Sequence, residues 1–535
     1  MRILPVLFAA FLLLSAAQAG AQRANPPKLV VVISVDQFGA ALFDEYRLHF
    51  TAGLKRLASG TVFHNGFQGQ AATETCPGHS TIMTGSLPAR TGIIGNSWYD
   101  WSAARTDKRI YCAEDERVPG STFRTYTVSA VHLKVPTLGD ILKKLSPASR
   151  NVAVAGKDRA AVMMSGHVAD QRWYWDGKTF ATDLKAAPVP PGVPAINARL
   201  ASFIATAQAP LVPPPYCQAK ARPIALSNGE TVGAGTLGRA AGNYDAFRES
   251  PDFDGATLAM AGSLIRDMKL GHARAPDIVS IGLSATDYVG HAYGSEGEEM
   301  CLQMFGLDRE LGDFLRALDS MKLDYAVVLT ADHGVEDLAE RAGVPRADPA
   351  LSAKAVGAKV AQALAIEGPV LAGGIGGDVY LDPALTAGQR SGAEAEALRI
   401  FRAHPQVEAV FTKAELEKVP VPTGSPDKWT LLQRARASFD AGRSGDFVVL
   451  LKKGISLLSK PSQGDVATHG SPWDYDRRVP ILFWRAGMAP QNRDEAVDTA
   501  DIMPTLAAMI GIPVDPRSID GRCLAGISGI ACPAH

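Results

Sequence analysis

The 535-residue sequence has almost no net charge, because 54 Lys and Arg residues are balanced by 55 Asp and Glu, giving a formal charge of −1. This balance excludes a global attraction to nucleic acid, so any affinity for anions must be local. Beyond the N-terminal segment, the sequence contains no apolar run of membrane-spanning length, no internal repeat and no CxxC pair. Its 46% hydrophobic and 20% charged residues exclude a disordered chain, a collagen and a coiled coil, and are typical of a globular protein.

Residues 1–21 have the pattern of a secretory signal peptide. The only charge, on Arg2, precedes an apolar run over 4–14, and small-x-small cleavage sites end at Ala19 and Ala21. An uncleaved anchor is the alternative; a lipoprotein is disfavoured because no Cys lies at the cleavage site. We expect a periplasmic or secreted protein with no membrane contact after cleavage.

The six cysteines are consistent with export, since an even count in an exported chain indicates disulfides. Cys523 and Cys532 would close a short C-terminal loop and are the first pair that we expect. Of the pairings open to the other four, we expect Cys76 with Cys112 and Cys217 with Cys301. Free buried thiols are the alternative.

Short β-branched runs alternate with helical patterns, which predicts a mostly parallel sheet covered on both faces by helices. The predicted core strands are 29–35, 151–155, 278–283, 325–330, 447–451 and 480–484, and the predicted helices are 137–145, 256–270, 301–321, 353–366, 393–403 and 502–510. Two stretches, at about 160–250 and 335–445, interrupt the alternation with Pro-rich or Gly-rich segments. We expect both to be cap insertions in one catalytic domain spanning 22–535.

Acidic and imidazole side chains follow several of these strands. The candidates are Asp36, Asp287, His291, Asp332, His333 and His469. A single strand-end Asp is more often a turn residue than a ligand, but a parallel sheet would bring all six together. Mixed carboxylate and imidazole ligands suit zinc, and six are too many for one tetrahedral site but enough for two. Two neighbouring metals can hold the attacking and leaving oxygens of a phosphoryl displacement.

A nucleophile candidate lies in the segment TETCPGHST over 73–81. Pro77 suits the first turn of a helix, which would place Thr75 at or near its N-cap. That helix end presents N–H groups and a positive dipole to an anion. A Thr hydroxyl is a weak nucleophile, and zinc coordination would activate it without a His base. Without the metal ligands, Thr75 would be interpreted only as a cap.

These motifs, with VVISVDQF, TGSLPARTGIIGN, TADHG and VDTADIMPTLAAMIG, resemble the alkaline phosphatase superfamily in its Thr-nucleophile branch. That branch contains phosphate-irrepressible periplasmic alkaline phosphatases and nucleotide pyrophosphatase/phosphodiesterases. The resemblance implies a three-layer α/β sandwich with two zinc ions per chain. It assigns one ion to Asp287, His291 and His469, and the other to Asp36, Asp332, His333 and Thr75. Attack by Thr75 would form a phosphothreonine intermediate, and Asn96 would donate a hydrogen bond to a phosphoryl oxygen.

Lys157 and Arg159 resemble the Lys-x-Arg pair of the phosphate monoesterases, which the diesterase branch lacks. A monoester brings a near-dianionic group, which this pair can neutralise with the metals. We therefore expect a broad-specificity alkaline phosphatase acting as a monomer on small phosphorylated metabolites, with no nucleic acid as a specific partner. A phosphodiesterase or nucleotide pyrophosphatase is the alternative. A sulfatase is disfavoured, because Cys76 lacks the C/S-x-P-x-R context of a formylglycine.

Overall fold

The computed structural model describes residues 25–533, so the predicted signal peptide lies outside the described residues. The strands are β1 Leu29–Val35, β2 Thr61–Phe67, β3 Ser97–Tyr99, β4 Arg109–Tyr111, β5 Asn151–Ala155, β6 Gln171–Trp175, β7 Phe180–Ala181, β8 Ile224–Ala225, β9 Thr231–Val232, β10 Asp277–Leu283, β11 Tyr325–Thr330, β12 Leu371–Gly373, β13 Gly377–Leu381, β14 Val407–Thr412, β15 Phe447–Leu451, β16 Arg478–Arg485, β17 Gln491–Arg493 and β18 Val497–Asp498.

The α-helices are α1 Ala40–Tyr46, α2 Gly53–Leu57, α3 Thr75–Thr84, α4 Pro88–Thr91, α5 Leu138–Leu145, α6 Asp158–Ser165, α7 Gly192–Ile204, α8 Pro215–Gln218, α9 Tyr244–Arg248, α10 Pro251–Asp267, α11 Ala285–Tyr293, α12 Glu298–Ser320, α13 Ala339–Ala342, α14 Ala353–Leu364, α15 Ala387–Ala403, α16 Lys413–Glu417, α17 Leu431–Ser438, α18 Asp474–Arg477 and α19 Ile502–Ile510. Each of the six predicted helices corresponds to one of these, with ends shifted by a few residues.

A ten-stranded mixed sheet forms the centre of the part of the chain that the structure describes. Its order is β17-β2-β16-β11-β1-β10-β5-β6-β7, with β18 also pairing with β2. The strands β11, β1, β10, β5 and β6 are parallel neighbours, whereas β16 and β7 run antiparallel to theirs. The prediction of a mostly parallel central sheet is confirmed.

The sheet is the middle layer of three. Side chains alternate along β1, so that Val31 and Ile33 join a core with α10 and α12 on one face. Val30 and Val32 join a second core with α3, α5 and α19 on the opposite face. The near-continuous apolar sequence of β1 is therefore explained by burial on both faces.

Two predicted strands are present but pair differently from the expectation. We expected 447–451 in the central sheet, but β15 pairs with β13 and β14 in a separate four-stranded sheet of order β12-β13-β15-β14. That sheet packs with α14 and α15 around its own core, which buries both β15 and its neighbours. The 480–484 segment is a central strand, but β16 is antiparallel rather than parallel.

The two interrupted stretches contribute differently to the molecule. Residues 160–250 supply β6 and β7 to the edge of the central sheet, followed by short helices and the β8–β9 hairpin. Residues 335–445 hold α13–α17 and three strands of the smaller sheet. Within residues 25–533, no helix combines the length and apolar character needed to cross a bilayer.

All three expected cysteine pairs are confirmed as disulfides: Cys76–Cys112, Cys217–Cys301 and Cys523–Cys532. The first joins the start of α3 to the segment after β4. It thereby ties the helix that bears Thr75 to the hairpin formed by β3 and β4.

Candidate metal centre and nucleophile

The three predicted carboxylate ligands lie at one edge of the central sheet. Asp36 directly follows β1, Asp332 lies two residues after β11, and Asp287 is in the first turn of α11, which follows β10. Because β11, β1 and β10 are parallel neighbours, their carboxyl ends meet there. Gln37 links the two sides: its backbone N–H donates to Oδ1 of Asp332 at 3.1 Å, and its side-chain amide donates to Oδ1 of Asp287 at 3.1 Å.

The three predicted histidine ligands surround Asp287. The Nε2 atoms of His291, His469 and His333 lie 3.4, 3.5 and 4.0 Å from its Oδ1 atom. The rings of His333 and His469 stack with centroids 3.6 Å apart. Each Nδ1 atom instead faces a backbone carbonyl, of Ala467, Thr73 and Gly334 for His291, His469 and His333 respectively. Such contacts fix the tautomer of a ligating histidine and leave Nε2 available for metal.

His79 joins the carboxylates although sequence reasoning did not select it. Its Nε2 atom lies 3.3 Å from Oδ1 of Asp36, and its Nδ1 atom lies 3.4 Å from Oδ2 of Asp332. Nδ1 also makes a 2.9 Å hydrogen bond to the Thr75 carbonyl, one helical turn earlier in α3. His79 could have been found from its position four residues after Thr75, because residues four apart lie on one face of a helix.

Two groups of ligand-type atoms are compact enough to hold a metal ion. One comprises Asp287, His333 and His469, and the other Asp36, His79 and Asp332, each with its donor atoms within 4.8 Å of one another. The carboxylates are divided as the resemblance implies. His333 belongs to the group of Asp287, whose Oδ1 atom lies 4.0 Å from its Nε2 atom. The same Nε2 atom lies 3.3 Å from Oδ2 of Asp332, the carboxylate with which the resemblance places it.

Buried atoms without partners show that this donor set fits divalent metals. Among the described residues, Asp36 Oδ1, Thr75 Oγ1, His79 Nε2, Asp332 Oδ2 and His333 Nε2 are buried and make no hydrogen bond. Buried polar atoms are normally satisfied, and an unsatisfied one costs free energy. Oxygen and imidazole donors of this kind are typical zinc ligands.

Lys157 places a positive charge among the candidate ligands. Its Nζ atom lies 2.9 Å from Oδ2 of Asp36 and 2.5 Å from Oδ2 of Asp287, and its side chain is buried. Burial alone would raise the pKa of Asp287, but Lys157, His291 and His469 together outweigh burial and hold that pKa well below its usual value. Lys157 is therefore a buried counter-charge rather than a solvated strand-end residue.

Burial and neighbouring charges also shift the pKa values of the other titratable side chains in the site. Burial, with the neighbouring charge of Asp36, raises the pKa of Asp332 to about 8. Burial lowers the pKa of His333 to about 4. For His291 burial acts in the same direction, but the Asp287 carboxylate outweighs it and raises the pKa to about 10. These opposite shifts arise because several ionisable groups share one buried volume, so that the charge of each depends on its neighbours.

Thr75 is the first residue of α3, and Glu74 is the N-cap, so the prediction that Thr75 lies near the cap is confirmed. Gly78 allows α3 to approach the sheet edge, since a Cβ atom there would lie 2.2 Å from the Asp332 carbonyl oxygen. The Oδ1 atom of Asn96 accepts a 2.8 Å hydrogen bond from the N–H of Cys76. Asn96 is therefore held beside Thr75, with its Nδ2 group available as a donor.

Arg159 is half-buried at the start of α6, two residues after Lys157. Its Nη1 atom lies 3.4 Å from the Tyr111 hydroxyl, and its Nε atom is buried without a hydrogen-bond partner. The hydroxyls of Tyr111 and Tyr126 both donate to the Asp158 carboxylate. The guanidinium thus retains unused donors.

This fold and site define a class of phosphoryl-transfer proteins. The sequence profile of the type I phosphodiesterase / nucleotide pyrophosphatase family matches residues 30–472, and the chain belongs to this family, within the alkaline phosphatase superfamily.

Several relatives of the chain are named alkaline phosphatases. PhoK of Sphingomonas sp is 52% identical over 516 residues, which cover 95% of this chain and 92% of PhoK. PhoD of Zymomonas mobilis subsp. mobilis is 45% identical over 521 residues, covering 95% of this chain and 90% of PhoD. The crystal structure of wild-type alkaline phosphatase PafA superposes with a TM-score of 0.81 at 25% identity, covering 95% of this chain and all of that one.

Proposed function

We propose that the protein is a broad-specificity alkaline phosphatase, which hydrolyses phosphate monoesters through two zinc ions and a phosphothreonine at Thr75. One observation carries the proposal: the buried Thr75 hydroxyl has no hydrogen-bond partner and lies at the start of a helix beside a cluster of metal-ligand side chains. The names of PhoK, PhoD and PafA support the same activity.

The proposed ligands divide into two sets. Asp287, His291 and His469 would hold one zinc ion, and Asp36, Asp332, His333 and Thr75 the other. When bound, such ions act as Lewis acids on phosphoryl oxygens and lower the pKa of a coordinated hydroxyl. The 3.3 Å distance between His333 Nε2 and Asp332 Oδ2 supports placing His333 in the second set, and the buried donors on Asp36, Asp332, His333 and Thr75 have no hydrogen-bond partner that would compete with an ion.

In the proposed reaction, the Thr75 oxygen forms a bond to phosphorus while the bond from phosphorus to the ester oxygen breaks. The alcohol leaves with a proton, and the phosphoryl group remains on Thr75. Water then attacks phosphorus on the opposite side from the Thr75 oxygen and releases inorganic phosphate, which regenerates the hydroxyl. Splitting one displacement into two steps is the advantage of a covalent nucleophile.

Three side chains would recognise the phosphoryl group. Asn96, held by the N–H of Cys76, presents its amide group beside Thr75. Arg159 has unused donors that suit two oxygens in a fork. Lys157 pairs with Asp36 and Asp287. Once both carboxylates ligate cations, its ammonium is available to a nonbridging oxygen.

Hydrolysis of phosphodiesters is the second candidate, supported by the description of the matched family. A diester has one fewer free oxygen and one fewer charge than a monoester, so Lys157 and Arg159 would contribute less to its binding. Rates on 4-nitrophenyl phosphate and methyl 4-nitrophenyl phosphate separate the two, since the leaving group is the same. We expect kcat/KM to be larger for the monoester; a larger value for the diester would overturn the assignment.

We further propose that the protein is exported, to the periplasm or beyond the cell, and acts on small phosphorylated metabolites. Three disulfides among the described residues support an oxidising compartment. The predicted signal peptide and the monomeric state remain predictions. Mass spectrometry of the N-terminus of the exported protein tests cleavage near residue 21.

A further inference from the structure

A cavity of about 350 Å³ opens beside the proposed site, between the β3–β4 hairpin and the smaller sheet. Its wall includes Glu74, which precedes the proposed nucleophile, and His469 of the proposed metal centre. We propose that this cavity binds the leaving group of the substrate when that group contains a ring, as in an aryl alcohol or a nucleoside. The inference rests on the proposed function and names the substrate class that the site would favour.

The position of the cavity supports this role. The Nε2 atom of His469 lies 3.5 Å from Oδ1 of Asp287, in the ligand set proposed for the ion that Thr75 does not bind. In an in-line displacement the leaving oxygen departs opposite the attacking oxygen, and its substituent must extend away from phosphorus. A substituent that passes His469 meets the cavity wall. The volume falls in the range of small-molecule sites, about 300–1,000 Å³.

Two aromatic side chains in the wall are fixed in orientation and half-exposed. Tyr99 stacks on Trp101 with ring centroids 5.5 Å apart, and its ring lies 5.3 Å from that of Tyr380. The indole N–H of Trp473 donates to the Leu451 carbonyl oxygen at 3.0 Å. Rings that are already held in place can contact a bound ring with little loss of conformational entropy.

The charges in the wall do not favour a charged leaving group. Arg109 and Lys452 contribute two positive charges, and Glu74 and Asp378 contribute two carboxylates, so their formal sum is zero. The cavity offers aromatic and aliphatic surface, including Leu457, without a net charge. This lining is therefore better suited to distinguishing leaving groups by the presence of a ring and by size than by charge.

The test compares phenyl phosphate and adenosine 5′-monophosphate with methyl phosphate, which has no ring. In the variants Tyr99→Ala and Trp473→Ala, we expect the ratio of kcat/KM for either ring substrate to that for methyl phosphate to fall about tenfold. Comparing each variant with wild type on the same substrate cancels the intrinsic reactivity of each ester. Tyr99→Phe and Trp473→Phe, which keep a ring, should retain most of the ratio.

Filling the cavity gives an independent test that does not truncate a side chain of its lining. Leu457→Trp should lower the same ratio, because the larger side chain occupies the space for the ring. Equal losses on methyl phosphate and on ring substrates, in all three variants, would overturn the proposal while leaving the phosphatase function intact. Absence of monoester turnover in the wild type would instead refute the proposed function and this inference with it.

Discussion

The ammonium nitrogen of Lys157 lies 2.5 Å from Oδ2 of Asp287, and both side chains are buried. The two residues have different proposed roles, one in binding phosphate and the other in binding metal. Their contact means that the positive charge of Lys157 compensates buried carboxylates that are also candidate metal ligands. The charge of Lys157, the proposed phosphate-binding residue, and the charges of the metal ligands Asp36 and Asp287 therefore stabilise one another.

Replacing Lys157 should destabilise the metal-free protein more than the metal-loaded one. Lys157→Met leaves Asp36 and Asp287 buried without their counter-charge, which we expect to cost about 3 kcal/mol of unfolding free energy. Urea denaturation with chelator and with added zinc measures both values. Lys178→Met, at an exposed turn, serves as the matched control. An equal loss of unfolding free energy with chelator and with zinc would contradict the proposed mutual stabilisation of Lys157 and these carboxylates.

Removing Arg159 should reduce monoester hydrolysis more than diester hydrolysis. Hydrogen bonds to charged groups contribute about 1.5–3 kcal/mol, so Arg159→Ala should lower kcat/KM for a monoester about 10- to 100-fold. The loss on a diester with the same leaving group should be smaller. Arg159→Lys keeps the charge but not the planar fork, and should recover only part of the rate. Equal losses on both esters would count against the charge argument.

The role of His79 can be separated from metal ligation. If Asp36, Asp332, His333 and Thr75 hold the second ion, His79→Gln should still bind two ions per chain. Its metal affinity should fall about 10- to 100-fold, the usual effect of losing a residue that supports ligands. Asp332→Asn should bind one ion. Metal analysis after gel filtration decides the matter, since a single ion in His79→Gln would make His79 a ligand.

Asp498 should make the stability of the protein depend on pH. Burial, with the charge of Asp501, raises the pKa of Asp498 from 3.8 to about 7. The folded state therefore favours the neutral form, and this carboxyl group lowers stability as pH rises from about 4 to 7, with no further change above. Each pKa unit corresponds to ~1.4 kcal/mol.

Asp498→Asn removes that ionisation while keeping an oxygen that can accept the hydrogen bond from the N–H of Ala500. Relative to wild type, the variant should gain unfolding free energy as pH rises through this window. Chemical denaturation at several pH values measures the difference. A difference that is constant between pH 4 and 8 would show that Asp498 is already ionised in the folded state.

The central sheet was predictable because its strands are buried on both faces and are therefore short apolar runs. The same signature explains the error over 447–451, since β15 is also fully buried, but in the core of the smaller sheet. An apolar run in the sequence indicates that a strand is buried, but it does not indicate which sheet the strand joins. An apolar run does not indicate strand direction either, so the antiparallel pairing of β16 could not be predicted from the sequence.

The site was predictable as far as each ligand follows a recognisable strand or motif. Asp36, Asp287 and Asp332 could be placed together because parallel neighbours end at one edge. Gln37 and His79 were missed because their roles depend on contacts between distant segments. Gln37 also adopts a positive φ of 66°, which no local pattern indicates.

The most direct test of the account is to trap the covalent intermediate. Purified protein loaded with zinc is mixed with a phosphate monoester, quenched in acid within milliseconds, digested and analysed by mass spectrometry. The account predicts a phosphoryl group on Thr75 in wild type and none in Thr75→Ala, which should retain zinc but lose most turnover. Rapid hydrolysis by Thr75→Ala, or phosphate trapped on another residue, would contradict it.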